Sequence, residues 1–395
     1  MTPQARTNLE LMEYEPRFFP SEMIPEHVGK LIWQNHSSKV DINFPSPVTD
    51  NQWKLTAQGR VGLIPINDEF SITIQPKVQL SKLFRMLEYA YTLNWLGHGL
   101  RDLKSLKDFY ERIAHILALR FLDRTIKGLY RSYVDECQVL PYVRGRLDMD
   151  RLIKMPWEAE PKCHYQKHTA DIEDNQLIAW TLFVIARSGL CSDRVLPTIR
   201  KAYRSTHGLI SLKQFHPSDC LGRLYHRLNE DYQALHALCR FFLEHTGPTH
   251  ESGDRTMLSF LINMNSLFEL FVAQWLKKNL PHRYSIRAQE RVYIGEERDL
   301  YFDIDLVLYD NISDQTLCVL ETKYKDHDKP SMDDISQVVA YAESRDCNEA
   351  ILIYPIQLTS PVDVKVGKIR VRTLGYPLNE DLEEMGNKLK AEILS

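Results

Sequence analysis

Tyr301-Phe-Asp-Ile-Asp-Leu-Val-Leu-Tyr309 alternates apolar and polar side chains strictly enough to leave few folds open to this chain. A period of two places Asp303, Asp305 and Val307 on one face of a strand and Phe302, Ile304, Leu306 and Leu308 on the other. A second apolar run, Leu317-Cys-Val-Leu-Glu-Thr-Lys-Tyr324, ends with Glu321 and Lys323 on a shared face by the same rule. The turn-forming link Asp310-Asn-Ile-Ser-Asp314 is short, so the spacing predicts antiparallel neighbours whose acids and lysine converge. Ser331 to Ser344 then reads as a helix with Gln337 and Tyr341 four apart on one face.

That set of residues suits phosphodiester cleavage. Such chemistry needs a hard cation to neutralise charge and acidify a water, and carboxylates at strand ends offer the oxygen ligands that magnesium takes. Asp305 and Glu321 fit the ligand role. Asp305 directly precedes the apolar run Leu306-Val-Leu308 and is favoured over Asp303, which is kept as a possible further ligand. Lys323 would orient the water or stabilise developing charge, with Gln337 and Tyr341 ordering the site or touching a phosphate. An acid-x-Lys triplet alone means little among 53 acids and 49 basic residues. Glu160-Pro-Lys162 and Asp363-Val-Lys365 match it too. The order strand acid, strand Glu-x-Lys, Gln-x-x-x-Tyr helix carries the specificity.

This arrangement resembles the PD-(D/E)xK nuclease superfamily, and its Gln-x-x-x-Tyr helix is similar to that of the RecB-like branch. The usual proline before the first acid is Ile304 here. The resemblance implies a further glutamate on a preceding helix. Met257 to Leu280 is expected to be that helix, with Phe268, Phe271, Val272 and Trp275 at helical spacing and Pro281 as the stop, which makes Glu269 the matching acid. As an isolated residue, Glu269 reads equally well as a solvated helix glutamate.

Upstream, Arg60 to Ile66 and Phe70 to Lys77 read as a hairpin, with Phe70, Ile72 and Ile74 alternating with polar residues. Ser81 is a candidate N-cap for a helix carrying Leu83, Leu87 and Ala90. The string Ile74-x-Pro-Lys-x-x-x-x-x-Leu-Phe-x-Met-Leu87, then Arg144-Gly-Arg-Leu147, then Asp171-x-x-x-Asn175, is similar to the McrC family, the nuclease subunit of McrBC-type restriction systems. Membership would imply an McrB-like AAA+ GTPase as partner, which the chain stimulates and which reads modified double-stranded DNA, 5-methylcytosine above all. The chain itself would cut. The N-terminal part would engage the motor.

The remaining sequence agrees with that picture. A net charge of −4 lacks the basic footprint of a protein that binds DNA strongly by itself. Local basic stretches exist at Arg283, Arg287 and Arg291 and at Lys365, Lys368, Arg370 and Arg372; either could track phosphates or be a solvated face. No apolar run reaches a membrane span and no signal peptide heads the sequence, so a soluble, cytoplasmic protein is expected. Seven cysteines without a Cys-x-x-Cys pair argue against a zinc ribbon or a disulfide framework. Cys163-His164 with His168 has no complementary ligand pair and reads as a loop, Asp148 and Asp150 make a poor second catalytic pair, and no Walker-type loop is present.

The expected fold is α+β and multidomain. A β-rich N-terminal domain over 1–103 precedes a mainly helical middle over 104–255, where Leu106, Tyr110, Ile113, Leu117 and Phe121 form one stripe. A nuclease domain with a mixed sheet flanked by helices covers 256–395. Two other functions fit part of the pattern: a non-catalytic activator of an AAA+ NTPase, or a stand-alone RecB-like nuclease.

Overall fold

The computed structural model describes residues 7–93, 103–252, 255–294, 299–325 and 329–395, with only the backbone given for 248–252 and 255–257. The chain divides into two compact units. One combines Met1–Phe109 with Pro248–Ser395, and the other is Tyr110–Gly247. The protein is thus of mixed α and β structure with several sheets.

In the first unit the expected hairpin forms, with Gly62 opposite Ile74 and Pro65 opposite Ser71. Phe70, Ile72 and Ile74 are buried, as the alternation requires. Thr7–Met12 pairs in parallel with Phe70–Gln75. On the other side of Arg60–Pro65 lies Arg255–Asn263, antiparallel, in a five-stranded sheet whose last member is Thr246–Ser252. The helix after the hairpin spans Leu80–Ala90 and opens on Gln79, whose backbone is extended, rather than on Ser81.

Arg255–Asn263 corrects the sequence expectation of a helix from Met257. The helix begins only at Met264 and runs to Asn279, capped by the Asn263 side chain, which accepts from the backbone N–H of Asn265 and Ser266. Met257-Leu-Ser-Phe-Leu-Ile262 has no polar face, so its local period could not choose between helix and strand. Pairing with Arg60–Pro65 decided it. Gly62 makes that pairing possible: its φ is +145°, and a Cβ there would lie 2.0 Å from the Phe260 carbonyl oxygen.

The C-terminal sheet has six strands in the order Tyr284–Ile294, Leu300–Asp310, Gln315–Thr322, Glu349–Tyr354, Ile369–Gly375, Asp363–Val366. The first three are antiparallel neighbours, as the short link predicted. The next two pairings are parallel, and Met332–Ser344 is the crossover helix between Gln315–Thr322 and Glu349–Tyr354. Ile304 and Val307, which strict alternation sets on opposite faces, both join Val319, Val338, Ala342, Ala350, Leu352 and Val371 in the core beneath that helix, so the alternation read from sequence does not continue through Asp305 to Val307. Behind the sheet, Met264–Asn279 packs against Leu80–Ala90 and Leu382–Ile393: the Tyr89 and Phe271 rings lie 5.8 Å apart, and Trp275 Nε1 donates to Glu383 at 3.2 Å.

The second unit holds helices Glu173–Arg187, Leu196–Arg204 and Tyr232–His245 and most of Leu106–Lys127, whose predicted stripe is buried. It also contains a three-stranded antiparallel sheet of Ser132–Val139, Lys162–Thr169 and Arg146–Leu147. The Cys163-His164 and His168 segment is therefore a strand and not a loop. Its eight backbone pairings to Ser132–Val139 supply the ladder that local sequence did not announce. Asp148 caps the helix Met149–Lys154. Asn175, in the Asp-x-x-x-Asn string, is fully buried, donates to the carbonyls of Tyr130 and Ala170, and accepts from Tyr232.

Candidate active site

Partway along Leu300–Asp310 the ladder to Gln315–Thr322 stops at Leu306 opposite Leu320. One step further in the same register, Asp305 and Glu321 face each other. Asp305 Oδ2 accepts from both the backbone N–H and the hydroxyl of Thr322, each at 2.9 Å. Glu321 is 5% exposed. Its Oε1 accepts from Lys323 Nζ at 2.8 Å and from Gln337 Nε2 at 3.1 Å, while its Oε2 is buried with no hydrogen-bond partner among the described residues.

Lys323 Nζ also donates to Gln337 Oε1 at 2.9 Å. Gln337 Nε2 completes the chain by donating to the Tyr341 hydroxyl at 2.7 Å. The i, i+4 spacing read from sequence thus places both helix side chains in one network with the strand pair. The Phe302 ring holds Tyr341 edge-on at 5.1 Å. Glu269 comes from the Met264–Asn279 helix and accepts from Gln289 Nε2 at 3.1 Å.

The electrostatics of the three acids are alike. Burial first, and then the charge of Asp305, push both Glu269 and Glu321 up to about 7. Asp305 is also raised by burial, against the Thr322 hydrogen bonds and the nearby Lys323 that pull it down. For Lys323 burial works the other way, but the hydrogen bond to Glu321 and the charges of Glu321, Asp334 and Asp305 outweigh it and hold the ammonium above its ordinary value. Negative charge here exceeds what the single lysine neutralises.

Six of the sequence-predicted residues, Asp305, Glu321, Lys323, Glu269, Gln337 and Tyr341, are therefore brought to one place by contacts or by mutual charge. Asp303 lies one step outward, its two oxygens held by Arg291 at 2.8 and 3.1 Å. A cavity of about 400 Å³ lined by Gln289, Arg291, Asp303, Ile304 and Asp305 adjoins the ligand pair.

The sequence reading gives Thr322 no role of its own, and two further residues, Asp334 and Gln289, escape it. Thr322 lies inside the motif itself. Asp334 caps its helix reciprocally with Ser331 and sits 3.6 Å from Lys323 Nζ, and its Ser-x-x-Asp spacing was a readable cap signal. Gln289 stands mid-strand with φ +51°, a conformation rare for a side-chain-bearing residue, and nothing in the sequence announces it.

The basic stretches have partners of their own. Arg283 pairs with Asp310 at 2.7 Å, Lys368 with Glu343 at 3.1 Å and Arg370 with Asp363 at 2.7 Å, and the Arg287 guanidinium lies 4.4 Å from the Tyr309 ring centre. Among the described residues no helix is long and apolar enough to cross a membrane.

Comparison with known proteins adds to this geometry. The fold is similar to a chain of the assembly described as Thermococcus gammatolerans McrB AAA+ hexamers with bound McrC, at 17% identity and a TM-score of 0.56, covering 98% of this chain and 99% of that one. A chain of the Thermococcus gammatolerans McrBC complex is also similar, at 20% identity and a TM-score of 0.44, over 70% of this chain and 88% of that one. No curated protein matches the sequence significantly. The family model for the McrBC 5-methylcytosine restriction system component matches residues 55–355. With well over half its length matched, including the strand pair and the Gln337–Tyr341 helix, the chain belongs to the family of McrBC 5-methylcytosine restriction system components.

Proposed function

We propose that this chain is the DNA-cutting subunit of a 5-methylcytosine-directed restriction system. It hydrolyses phosphodiesters with magnesium at a PD-(D/E)xK-type site, and it acts in the cytoplasm with an McrB-like AAA+ GTPase that it stimulates. The observation that carries the reading is the buried, unpartnered Oε2 of Glu321 beside Asp305, with Lys323 at 2.8 Å from the other oxygen.

The residues fit a hard cation. Two under-compensated carboxylates, Asp305 in mid-strand and Glu321 near the end of the neighbouring strand, offer oxygen ligands. Among the described residues no three acids, histidines or cysteines close on one point, so the fit is to an ion that keeps several waters, as magnesium does. When bound, magnesium supplies charge neutralisation at the phosphate and lowers the pKa of a coordinated water. Asp305 and Glu321 would hold it.

The chain's own groups do the rest. The Lys323 ammonium, locked by Glu321 and Gln337, presents a positive charge where negative charge develops on the phosphoryl oxygens. Tyr341 fixes the Gln337 amide, which in turn fixes Lys323. Glu269, ionising near neutrality, accepts a proton from the attacking water.

The structural relative with bound McrC supports an AAA+ partner for this chain as well. So does the electrostatics, because Arg283, Arg291, Lys368 and Arg370 are tied up in ion pairs and the net charge is −4. Pairing of these four residues weakens the attraction of the sheet region for DNA. A motor that delivers the DNA removes that need.

The test is cleavage of methylated and unmethylated plasmid in magnesium by wild type and Asp305→Ala, each alone and with an McrB-like protein plus GTP. Cutting that requires the partner, GTP, methylation and Asp305 is expected. Cutting without the partner would replace this reading with a stand-alone nuclease, and GTPase stimulation without cutting would replace it with an activator.

A further inference from the structure

Among the described residues no third strand lies against the outer half of the Tyr284–Ile294 and Leu300–Asp310 hairpin, because Gln315–Thr322 pairs only from Leu306 inward. Alternation along this half gives its faces different characters. Phe302 and Ile304 turn into the core beneath the Met332–Ser344 helix. Tyr301 and Asp303 turn the other way, with Asp305, and their cross-strand partners are Tyr293 and Arg291. A row of pairs therefore runs outward from the candidate metal ligand: Asp305, then Asp303 with Arg291, then Tyr301 with Tyr293.

The outermost pair is aromatic and open to solvent. Tyr293 is 50% exposed and Tyr301 47% exposed, with their rings 6.0 Å apart and edge to face. The Arg291 guanidinium lies 3.9 Å from the Tyr301 ring centre while it chelates Asp303. Arg291 and Asp303 also line the cavity that reaches Asp305, so the row is continuous with the site.

Resting on the nuclease reading, we propose that Tyr301 and Tyr293, backed by Arg291, are a stacking subsite for a base of the DNA strand that is cut. Same-face residues of a strand are about 6.6–6.8 Å apart, comparable with the reach of one nucleotide, so two such steps carry the tyrosines to a base about two nucleotides from the scissile phosphate. Exposed aromatic rings beside a guanidinium bind bases through their π-faces without reading sequence. That suits a subunit whose target is chosen elsewhere. Asp303 already neutralises Arg291, so the subsite contributes stacking and little net charge.

The test titrates the full chain, in calcium to prevent cutting, against fluorescein-labelled single-stranded and duplex DNA at several salt concentrations. Magnesium-dependent cleavage and GTPase stimulation with the McrB-like partner are followed in parallel. The proteins are wild type, Tyr293→Ala/Tyr301→Ala and Tyr293→Phe/Tyr301→Phe. The alanine pair should weaken binding about tenfold or more, the loss of roughly one stacked base. The slope of log K against log salt should stay unchanged, because no phosphate contact is lost. The phenylalanine pair should bind like wild type. If the alanine pair binds and cuts like wild type, the subsite is overturned and the nuclease reading stands. If that pair loses only GTPase stimulation, the row is a protein contact and the proposal falls. If wild type neither binds nor cuts DNA under any condition, both fall together.

Discussion

One strand of this protein carries three aspartates in two environments. Asp303 and Asp310 are each gripped by an arginine, Arg291 and Arg283, whose hydrogen bonds hold both carboxyls below the ordinary range. Asp305, between them, accepts among the described residues from Thr322 alone, and its carboxyl is pushed up by burial. Glu321 and Glu269 share its condition. Ion pairing satisfies the outer two acids, whereas among the inner three Lys323 pairs with Glu321 and leaves more negative charge than it neutralises, which a folded protein tolerates where something else is meant to bind.

The hardest blow to that contrast is to neutralise an inner acid. Asp305→Asn should lower plasmid cleavage by roughly two to three orders of magnitude or more, as loss of a central charge-stabilising group does. It should leave the melting temperature of the metal-free protein unchanged or higher, since like charges repel there. A melting temperature that falls together with activity would mean that Asp305 is structural. Lys323→Ala should lose cleavage similarly.

Glu13 asks whether under-pairing alone marks a site. It is fully buried, its Oε2 has no partner and its pKa is raised by burial, but Oε1 accepts from Lys77 N–H at 2.7 Å and from the Tyr324 hydroxyl at 2.9 Å, behind Lys323. Glu13→Ala should cost about 1–3 kcal/mol in denaturant unfolding because it strands those donors. Magnesium dependence of cleavage should change little. A large rise in the magnesium needed would extend the site to this acid.

A pH series separates the two classes by sign. Glu321 and Glu269 ionise near 7 when folded, above their unfolded value of 4.5. The stability they contribute is fully present below 4.5 and is lost as pH rises through about 7. Magnesium, which needs the ionised forms, should therefore raise the melting temperature more at pH 8 than at pH 6, and cleavage should climb through neutrality. Asp303 and Asp310 behave oppositely: their contribution is present above the ordinary aspartate range and is lost only as pH falls through their lowered values. The smallest effect is expected from Asp303→Asn, an exposed pair, with cleavage and melting temperature both near wild type.

Asp305 and Glu321 are legible because they lie on locally patterned segments, whereas Glu269 comes only from the family resemblance. An alternating segment, an apolar run, a short link and an i, i+4 helix pair need no distant information. The grip of Arg291 on Asp303 could not be read, since it depends on the register between two strands. Nor could the strand before Glu269, where an all-apolar run took its conformation from Arg60–Pro65, far away in sequence. Gln289 has a left-handed backbone that no residue type there signals.

That distant pairing has a consequence for how the protein is made. Arg60–Pro65 waits with an open edge while the whole Tyr110–Gly247 unit is synthesised, on the order of ten seconds or more at ordinary elongation rates. Arg255–Asn263 then closes the sheet, and its last residue caps the helix that bears Glu269. The strand acids and Lys323 emerge later still. A newborn chain therefore passes through the synthesis of residues 66–254 with an exposed strand edge in need of shielding, and the strand acids of the candidate site are made only after the strand that covers that edge.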